Sequence, residues 1–227
     1  MSEYVFKENP VGGLDFIGDF DGLYKENPDP WGQSNSLKPM AEYYDYSRAI
    51  LAETVQKYVP ILGRVLEVGC GLGFALDHIS TAHEIIPTGV DISGVAIERA
   101  RKRFPKREFI QADITAADLK LVGECVGEYD CVILNQILWY ILHRLDFAVE
   151  NCWDLLRPNG VLIISQAFLR GEQRYGKGIV DGFHGLLKKF SSEYNSMFML
   201  LESKYDATTT LVHHDGILVF RRCEQSL

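Results

Sequence analysis

The chain has 227 residues, of which 47% are hydrophobic and 24% charged, and its formal net charge is −8. That length suits one sizeable core and is short for two, so we expect a single domain over residues 1–227. The negative charge, and the lack of a Lys/Arg stripe with interleaved aromatic residues, disfavours nucleic acid as a partner.

The five cysteines are odd in number and scattered along the chain. This usage favours reduced thiols over a disulfide framework or a metal site. Residues 1–4 show no export signal, and the longest apolar run, residues 131–142, is too short to span a bilayer. We therefore expect a cytoplasmic protein with no membrane partner and no bound metal.

Residues 1–39 are rich in Gly, Pro, Asp and Asn, a composition typical of an irregular arm. The stiff Pro-Asp-Pro sequence in this arm presents Trp31, which either packs the arm onto the domain or covers a ligand pocket. Residues 40–58 carry apolar positions at helical spacing. Tyr44 and Arg48 lie one turn apart, so they share nearly the same face of this predicted helix.

The central motif lies at residues 64–76. An apolar run that contains Glu67 opens into glycines at alternate positions and then into an amphipathic run, which predicts a strand, a tight turn and a helix. Such glycines allow positive φ angles and close approach of a ligand, although a glycine turn without a ligand is the alternative. A dinucleotide fingerprint needs glycine at position 74, where this chain has Phe74, so a pyrophosphate site is disfavoured.

Two further strands are each followed by an acid. Residues 88–92 predict a strand that ends in Asp91, where a doubly wound sheet places the acceptor for a ribose diol. An acid at a helix entry is the alternative, since Ser93 is suited to cap a helix over residues 93–103. Residues 108–111 predict the next strand, and Asp113 follows it.

The second half of the chain continues with a near-continuous apolar run at residues 129–135, typical of a buried parallel strand. A helix is predicted over residues 145–156 and a turn over residues 157–160. A strand follows at residues 161–165.

The last part of the chain contains an insertion at residues 170–200. Its glycines precede an amphipathic stretch at residues 183–201, which predicts a mobile lid. Strand-like runs at residues 205–213 and 217–222 are joined by a hairpin signal at residues 214–216.

Glu67 with the glycines at 69, 71 and 73 resembles motif I of the class I S-adenosylmethionine-dependent methyltransferases, and the acids at 91 and 113 agree with it. The resemblance covers roughly residues 60–222. It implies an α/β fold with a doubly wound, seven-stranded, mostly parallel sheet and a C-terminal antiparallel hairpin. The arm at residues 20–32, with Tyr44 and Arg48, resembles the nodulation protein S group of N-methyltransferases.

The resemblance implies S-adenosyl-L-methionine as the cofactor and S-adenosyl-L-homocysteine as the product. Asp113 then accepts from the adenine amine, and Ile114 packs on the adenine ring. Arg48 either neutralises the methionine carboxylate or forms a surface salt bridge. The expected cofactor-binding residues are Trp31, Tyr44, Arg48, Glu67, Gly69, Cys70, Gly71, Gly73, Asp91, Ile92, Asp113, Ile114 and Asn135.

In this family, donor and acceptor meet at the segment that corresponds to residues 136–143. The Asn-Pro-Pro-aromatic motif of nucleobase and amide methylation is absent there, which favours a small-molecule acceptor. The resemblance to the nodulation protein S group implies that this acceptor is small and polar, such as an amine or amino sugar. His143 and His184 are candidate general bases, needed for a hydroxyl acceptor but not for a neutral amine. Two alternatives stay open, an aminopropyltransferase-like enzyme and a non-catalytic S-adenosylmethionine-binding protein. The oligomeric state is left open.

Overall fold

The computed structural model describes residues 3–35, 38–119, 125–169, 171–206 and 213–224. The described helices are α1 (Phe20–Glu26), α2 (Lys38–Tyr58), α3 (Phe74–Ala82), α4 (Gly94–Arg103), α5 (Leu138–Ile141), α6 (Leu145–Leu155) and α7 (Gly182–Glu193), with a 3-10 turn at Leu142–Arg144. The described strands are β1 (Phe6–Glu8), β2 (Leu14–Phe16), β3 (Arg64–Val68), β4 (Ile86–Asp91), β5 (Glu108–Gln111), β6 (Tyr129–Asn135), β7 (Leu156–Leu169), β8 (Phe198–Asp206) and β9 (His213–Arg222).

A seven-stranded sheet organises the domain, in the order β5-β4-β3-β6-β7-β9-β8. The strands from β5 to β7 in this order are parallel, while β9 is antiparallel to both of its neighbours. The strand order reverses between β3 and β6, which is where doubly wound sheets bind their ligands. This topology confirms the predicted fold class.

Both faces of the sheet are covered, as the continuous apolar run of β6 predicts. Val132 and Leu134 pack into the cluster that contains α6 and α7, whereas Cys131 and Ile133 pack into the cluster that contains α2. Successive side chains of a strand point to opposite faces, so one short run of sequence contributes to both halves of the core.

The N-terminal arm is not irregular, and that prediction is wrong. Strands β1 and β2 form an antiparallel hairpin in which Phe6 pairs with Phe16, and α1 follows. The side chain of Asp19 caps α1 by accepting a hydrogen bond from the Gly22 amide at 2.8 Å. Strands of three residues are too short to show an alternation of apolar and polar residues, so the sequence of the arm did not predict them.

The predicted C-terminal turn at residues 214–216 is also wrong. Gly216 lies inside β9, where it pairs with Gln166 of β7 and Tyr205 of β8. A Cβ atom at this position would lie 2.5 Å from Cδ2 of Phe183, so the glycine is required by ring packing rather than by a turn. The connection between β8 and β9, residues 207–212, lies outside the described residues.

Two other boundaries differ from the prediction. Residues 157–160 form a bulge within β7, because Tyr129 pairs with Leu156 while Cys131 pairs with Val161. Part of the predicted insertion at residues 170–200 belongs to the core, since α7 packs Phe190 against Phe220 with ring centroids 4.5 Å apart. The lid prediction therefore applies to the glycine-containing segment at residues 171–182. None of the described helices combines the length and apolarity that a membrane crossing requires.

Candidate active site

A cavity of about 730 Å³ lies at the carboxyl ends of the parallel strands. Glu67 of β3, Asp91 of β4 and Asn135 of β6 all line it. Parallel strands end at the same edge of a sheet, and this is why residues far apart in the sequence meet here. The predicted cofactor residues that line the cavity are Trp31, Tyr44, Arg48, Glu67, Gly69, Asp91, Ile92, Asp113, Ile114 and Asn135.

The glycine loop has the positive φ angles that the sequence predicts, and packing within the protein is a second reason for its glycines. Gly69, Gly71 and Gly73 have φ angles of 71°, 53° and 83°. A Cβ atom on Gly69 would lie 2.0 Å from Cγ2 of Ile137, and one on Gly71 would lie 2.7 Å from the Tyr24 hydroxyl. Packing within the protein therefore requires these glycines, in addition to any ligand.

Asp91 connects the end of β4 to the glycine loop. Its Oδ2 accepts a hydrogen bond from the Gly71 amide and its Oδ1 accepts one from the Ser93 amide, both at 2.8 Å. The side chain is 8% exposed, and this burial raises the pKa of the carboxyl group to about 6, against the lowering effect of the two amides. A carboxylate has about four acceptor positions, so the bonds observed leave capacity for ligand hydroxyls.

A buried polar cluster lies beside the loop. Glu67 is 1% exposed, and its Oε1 accepts a hydrogen bond from Nδ2 of Asn135 at 2.9 Å. Burial raises the pKa of Glu67 to about 7, partly offset by the Asn135 hydrogen bond and by the charge of Arg48. Three buried atoms of the cluster have no partner among the described residues: Glu67 Oε2, Asn135 Oδ1 and Arg48 Nε. Unpaired buried polar atoms are costly and rare, so a group that supplies their partners is expected in the cavity.

Arg48 is held inside the protein rather than at the surface. It is 9% exposed, and its guanidinium lies over the rings of Tyr44 and Phe74, with 5.1 and 5.5 Å from Cζ to the ring centroids. It also donates to Oδ1 of Asn35 at 3.3 Å and to the backbone carbonyl of Gln33. No carboxylate of the described residues lies within ion-pair distance of it, so the surface salt bridge is not formed there.

Trp31 both contacts α2 and lines the cavity. The hydroxyl of Tyr44 donates to the Trp31 carbonyl at 3.1 Å, which fixes the arm on α2. The indole is half-buried on the cavity wall, with its ring centroid 5.8 Å from that of Tyr140. The contact of the arm with the domain and the covering of the cavity are thus made by the same residue.

Asp113 lies after β5, where the sequence predicts it. Its Oδ1 accepts from both the amide and the hydroxyl of Thr115, at 2.8 and 2.7 Å. Its other oxygen makes no hydrogen bond to the described residues, so it is available to a ligand. Ile114 beside it is buried, while Ile92 is 46% exposed at the cavity.

Four of the predicted site residues do not line the cavity. Cys70 is buried in a core cluster with Phe109, and Gly73 lies against the Phe109 and Phe104 rings, while Gly71 lies beside the Tyr24 hydroxyl. His184 is exposed beside Phe183 and Tyr205 instead, with ring centroids 5.6 and 6.1 Å away.

The other histidine, His143, does line the cavity. Its ring is exposed at the mouth, 4.9 Å from the ring of Phe16 between centroids. Of the two candidate bases, only His143 is therefore placed to meet a ligand in this cavity. Within the described part of the chain, no three or more His, Cys, Asp or Glu side chains form a group suited to a metal ion.

Several lining residues were not named as site residues from the sequence, although Gln136 belongs to the predicted donor–acceptor segment at residues 136–143. Gln136 follows β6 with φ of 59°, and its Oε1 accepts from the Ala167 amide at 2.8 Å. Gln166 is buried and accepts from the Leu138 amide at 2.9 Å. A positive φ angle at a glutamine has no sequence signal, and the aromatic residues of the N-terminal hairpin reach the cavity only through tertiary packing.

Comparison with known proteins agrees with this geometry. Residues 66–162 match a family model described as a methyltransferase domain. The chain is 24% identical to carboxy-S-adenosyl-L-methionine synthase of Campylobacter curvus over 65% of its own length and 62% of that protein. It is 33% identical to nodulation protein S of Azorhizobium caulinodans over 45% of its own length and 48% of that protein. The chain thus spans less than two thirds of the length of these curated relatives.

The solved structures agree in fold. The N-methyltransferase NodS of Bradyrhizobium japonicum, in complex with S-adenosyl-L-homocysteine, superposes with a TM-score of 0.65 at 19% identity, covering 90% of this chain and 98% of that one. The fold is therefore that of the class I methyltransferases, and residues 66–162 match the methyltransferase-domain model. Among the members of that class it resembles nodulation protein S, by sequence over part of the chain and by fold over most of it.

Proposed function

We propose that the protein is an S-adenosylmethionine-dependent methyltransferase that methylates a nitrogen atom of a small polar acceptor, with amines and amino sugars as the leading class. One observation carries the proposal, namely that a single cavity gathers the unpaired polar atoms around Arg48 and Glu67 together with the two strand-end acids, Asp91 and Asp113. The likeness to methyltransferases in fold and in residues 66–162 supports it.

The residues present fit this cofactor. Arg48 would bind the carboxylate of the methionine group, and Glu67 and Asn135 offer unpaired oxygens to its ammonium. Asp91 would accept from the ribose hydroxyls, and Asp113 from the adenine amine. When bound, S-adenosylmethionine supplies a methyl group made electrophilic by its sulfonium sulfur.

The work of the protein in such a reaction is to orient the acceptor and to exclude water. A neutral amine has its own lone pair, so it needs no general base for attack. We assign release of the proton afterwards to His143, which lines the cavity. A hydroxyl acceptor would depend on that residue during attack itself.

Calorimetry with S-adenosylmethionine and S-adenosylhomocysteine tests the cofactor. We expect both to bind, and no binding at millimolar concentration would contradict the proposal. Arg48→Met is expected to weaken S-adenosylmethionine but to spare its decarboxylated form, because only the former carries the carboxylate. Lys106, an exposed cation that does not line the cavity, provides the control variant Lys106→Met.

Turnover is tested with a panel of small amines and amino sugars, with S-adenosylhomocysteine release as the readout. Product formation with an amine is the expected result. If the protein binds the cofactor but methylates only hydroxyl acceptors, then N-methylation is wrong while the cofactor assignment stands.

A further inference from the structure

The part of the cavity formed by β1, β2, α1, α5 and residues 171–182 has a wall of aromatic rings. The rings of this wall are all half-buried: Phe6, Phe16, Phe20, Trp31, Tyr140 and Tyr175. Apart from Trp31, none of them belongs to the expected cofactor site. We call this set the ring wall.

The ring wall is continuous across elements that are distant in the sequence. Phe6 of β1 lies 4.9 Å from Tyr175, and Phe20 of α1 lies 5.3 Å from Tyr140 of α5, between ring centroids. Trp31 lies 5.8 Å from Tyr140 on its other side. These distances are typical of packed aromatic pairs, so a further ring could extend the same packing.

Most uncharged polar side chains in this part of the cavity are already used by the protein. Gln166 binds the Leu138 amide and the Ala167 carbonyl, Trp139 donates to the same carbonyl, and Gln173 binds the backbone of Tyr175, Val180 and Gly182. Among the described residues, the groups that keep hydrogen-bonding capacity here are the Gln136 amide nitrogen, the Tyr140 and Tyr175 hydroxyls and the His143 ring.

The charged lining residues of this part are all exposed, and Arg174 is engaged by Glu8 at 2.8 Å and by the Gly12 carbonyl at 3.1 Å. The acids among them, Glu172 and Asp181, are therefore solvated. Among the described lining residues, no buried carboxylate belongs to β1, β2, α1, α5 or residues 171–182. An ammonium ion at the ring wall would therefore have no buried counter-charge. Burial without a counter-charge favours the neutral form of an amine, which is the nucleophilic form.

We propose that the acceptor is an amine carried on an aromatic ring system, whose ring packs against the ring wall. This inference rests on the proposed methyltransferase function and narrows its acceptor. An amino sugar presents many hydroxyl groups, and the few free polar groups of the ring wall would leave most of them unpaired. The acceptor nitrogen forms a bond to the methyl carbon as the carbon–sulfur bond breaks. The electron pair of the broken bond stays on sulfur, and the methylated ammonium passes its proton to His143 and from there to water.

The test compares aniline, 2-phenylethylamine and tryptamine with D-glucosamine, by calorimetry on protein saturated with S-adenosylhomocysteine. We expect at least one aromatic amine to bind about tenfold more tightly than glucosamine. Phe16→Leu and Phe20→Leu, which keep apolar bulk but remove a ring, are expected to weaken that aromatic amine several-fold while S-adenosylhomocysteine affinity stays unchanged. Phe147→Leu is the control, since Phe147 lies on α6 outside the cavity.

The outcomes distinguish a wrong acceptor class from a wrong methyltransferase assignment. Equal or tighter binding of glucosamine, or no binding of any aromatic amine to protein that binds S-adenosylhomocysteine, overturns the aromatic acceptor and leaves the methyltransferase proposal standing. Aromatic amine binding that is insensitive to both leucine variants also overturns it. Failure to bind S-adenosylhomocysteine would instead remove the proposed function, and the acceptor inference with it.

Discussion

Asp91 has two functions in one side chain, because it supports the glycine loop and faces the cavity. Asp91→Ala leaves the Gly71 and Ser93 amides without their partner, at a cost to the free energy of unfolding of about 1–3 kcal/mol. The same change is expected to weaken S-adenosylmethionine binding by at least ~1–3 kcal/mol, since buried ribose hydroxyls lose a charged acceptor.

Denaturant unfolding and calorimetry on the same variant measure the two effects separately. Asp118→Ala is the control, because Asp118 is exposed and does not line the cavity. Unchanged cofactor affinity in Asp91→Ala would move the ribose contact to another residue.

Glu67 is expected to make stability depend on pH. Its pKa is raised from 4.5 to about 7 by burial, so between these values the folded state holds a proton that the unfolded state has lost. The unfolding free energy therefore falls as pH rises through this window, by about 3 kcal/mol in total, and is level above it. Glu67→Gln removes the titration and should flatten this part of the profile.

Denaturant titrations between pH 4.5 and 8 test this expectation in the absence of cofactor. Asp91, whose pKa is raised to about 6, contributes a slope of the same sign below that pH. The slope of the unfolding free energy against pH is therefore compared between the wild-type protein and Glu67→Gln from pH 6 to 7. Parallel profiles for the two proteins would show that Glu67 is ionised throughout.

At the scale of elements, the N-terminal hairpin and α1 form a cover on the cavity, which contacts the rest of the domain through polar pairs that include one part-buried and one exposed pair. Ser93 donates to Oδ1 of Asp21 at 2.7 Å, which joins α1 to the start of α4. Arg174 joins the loop at residues 171–182 to the hairpin through Glu8. Both members of that ion pair are substantially exposed, so it contributes little to stability and permits the cover to open.

We expect S-adenosylhomocysteine to slow proteolysis of residues 1–35, because Trp31 and the loop beside Arg48 gain contacts with the ligand. Cleavage in the sheet should not change. Equal cleavage rates of the arm with and without ligand would show that it is a fixed part of the fold.

Deletion of residues 1–32 is expected to leave a folded domain with weaker cofactor binding and no turnover. The sheet and α2 remain, but Leu72 and Ala96 lose the packing of Tyr24. Circular dichroism and calorimetry test this prediction. A truncated protein that binds the cofactor as tightly as the full chain would limit the arm to a packing role.

At the scale of the whole molecule, a ligand that binds only the folded state must raise Tm. S-adenosylhomocysteine at a hundred times its Kd is expected to add about 2.7 kcal/mol, or about 5–10 °C for a domain of this size. NAD is the control, since the glycine loop lacks the third glycine of a pyrophosphate site. A larger shift with NAD than with S-adenosylhomocysteine would contradict the cofactor assignment.

The sequence predicted the parallel core and the positions of the strand-end acids, for a local reason. Strands β5 and β6 occupy the predicted residues, and Asp91 and Asp113 lie where they were expected. Each of these features depends on a short run of residues in which burial, turn chemistry and a strand end coincide. Such features depend on the residues of one element, so they can be predicted without knowing which other elements pack against it.

The tertiary structure alone decided the features that depend on distant contacts. Gly216 looks like a turn residue, yet it lies in β9 because the ring of Phe183 occupies the space beside it. His184 lies outside the cavity because α7 turns Phe183 inward and leaves its neighbour exposed. The ring wall brings Phe6 and Phe16 against Tyr175, across most of the chain length. Residue spacing does not predict such contacts, since they depend on how whole elements pack together.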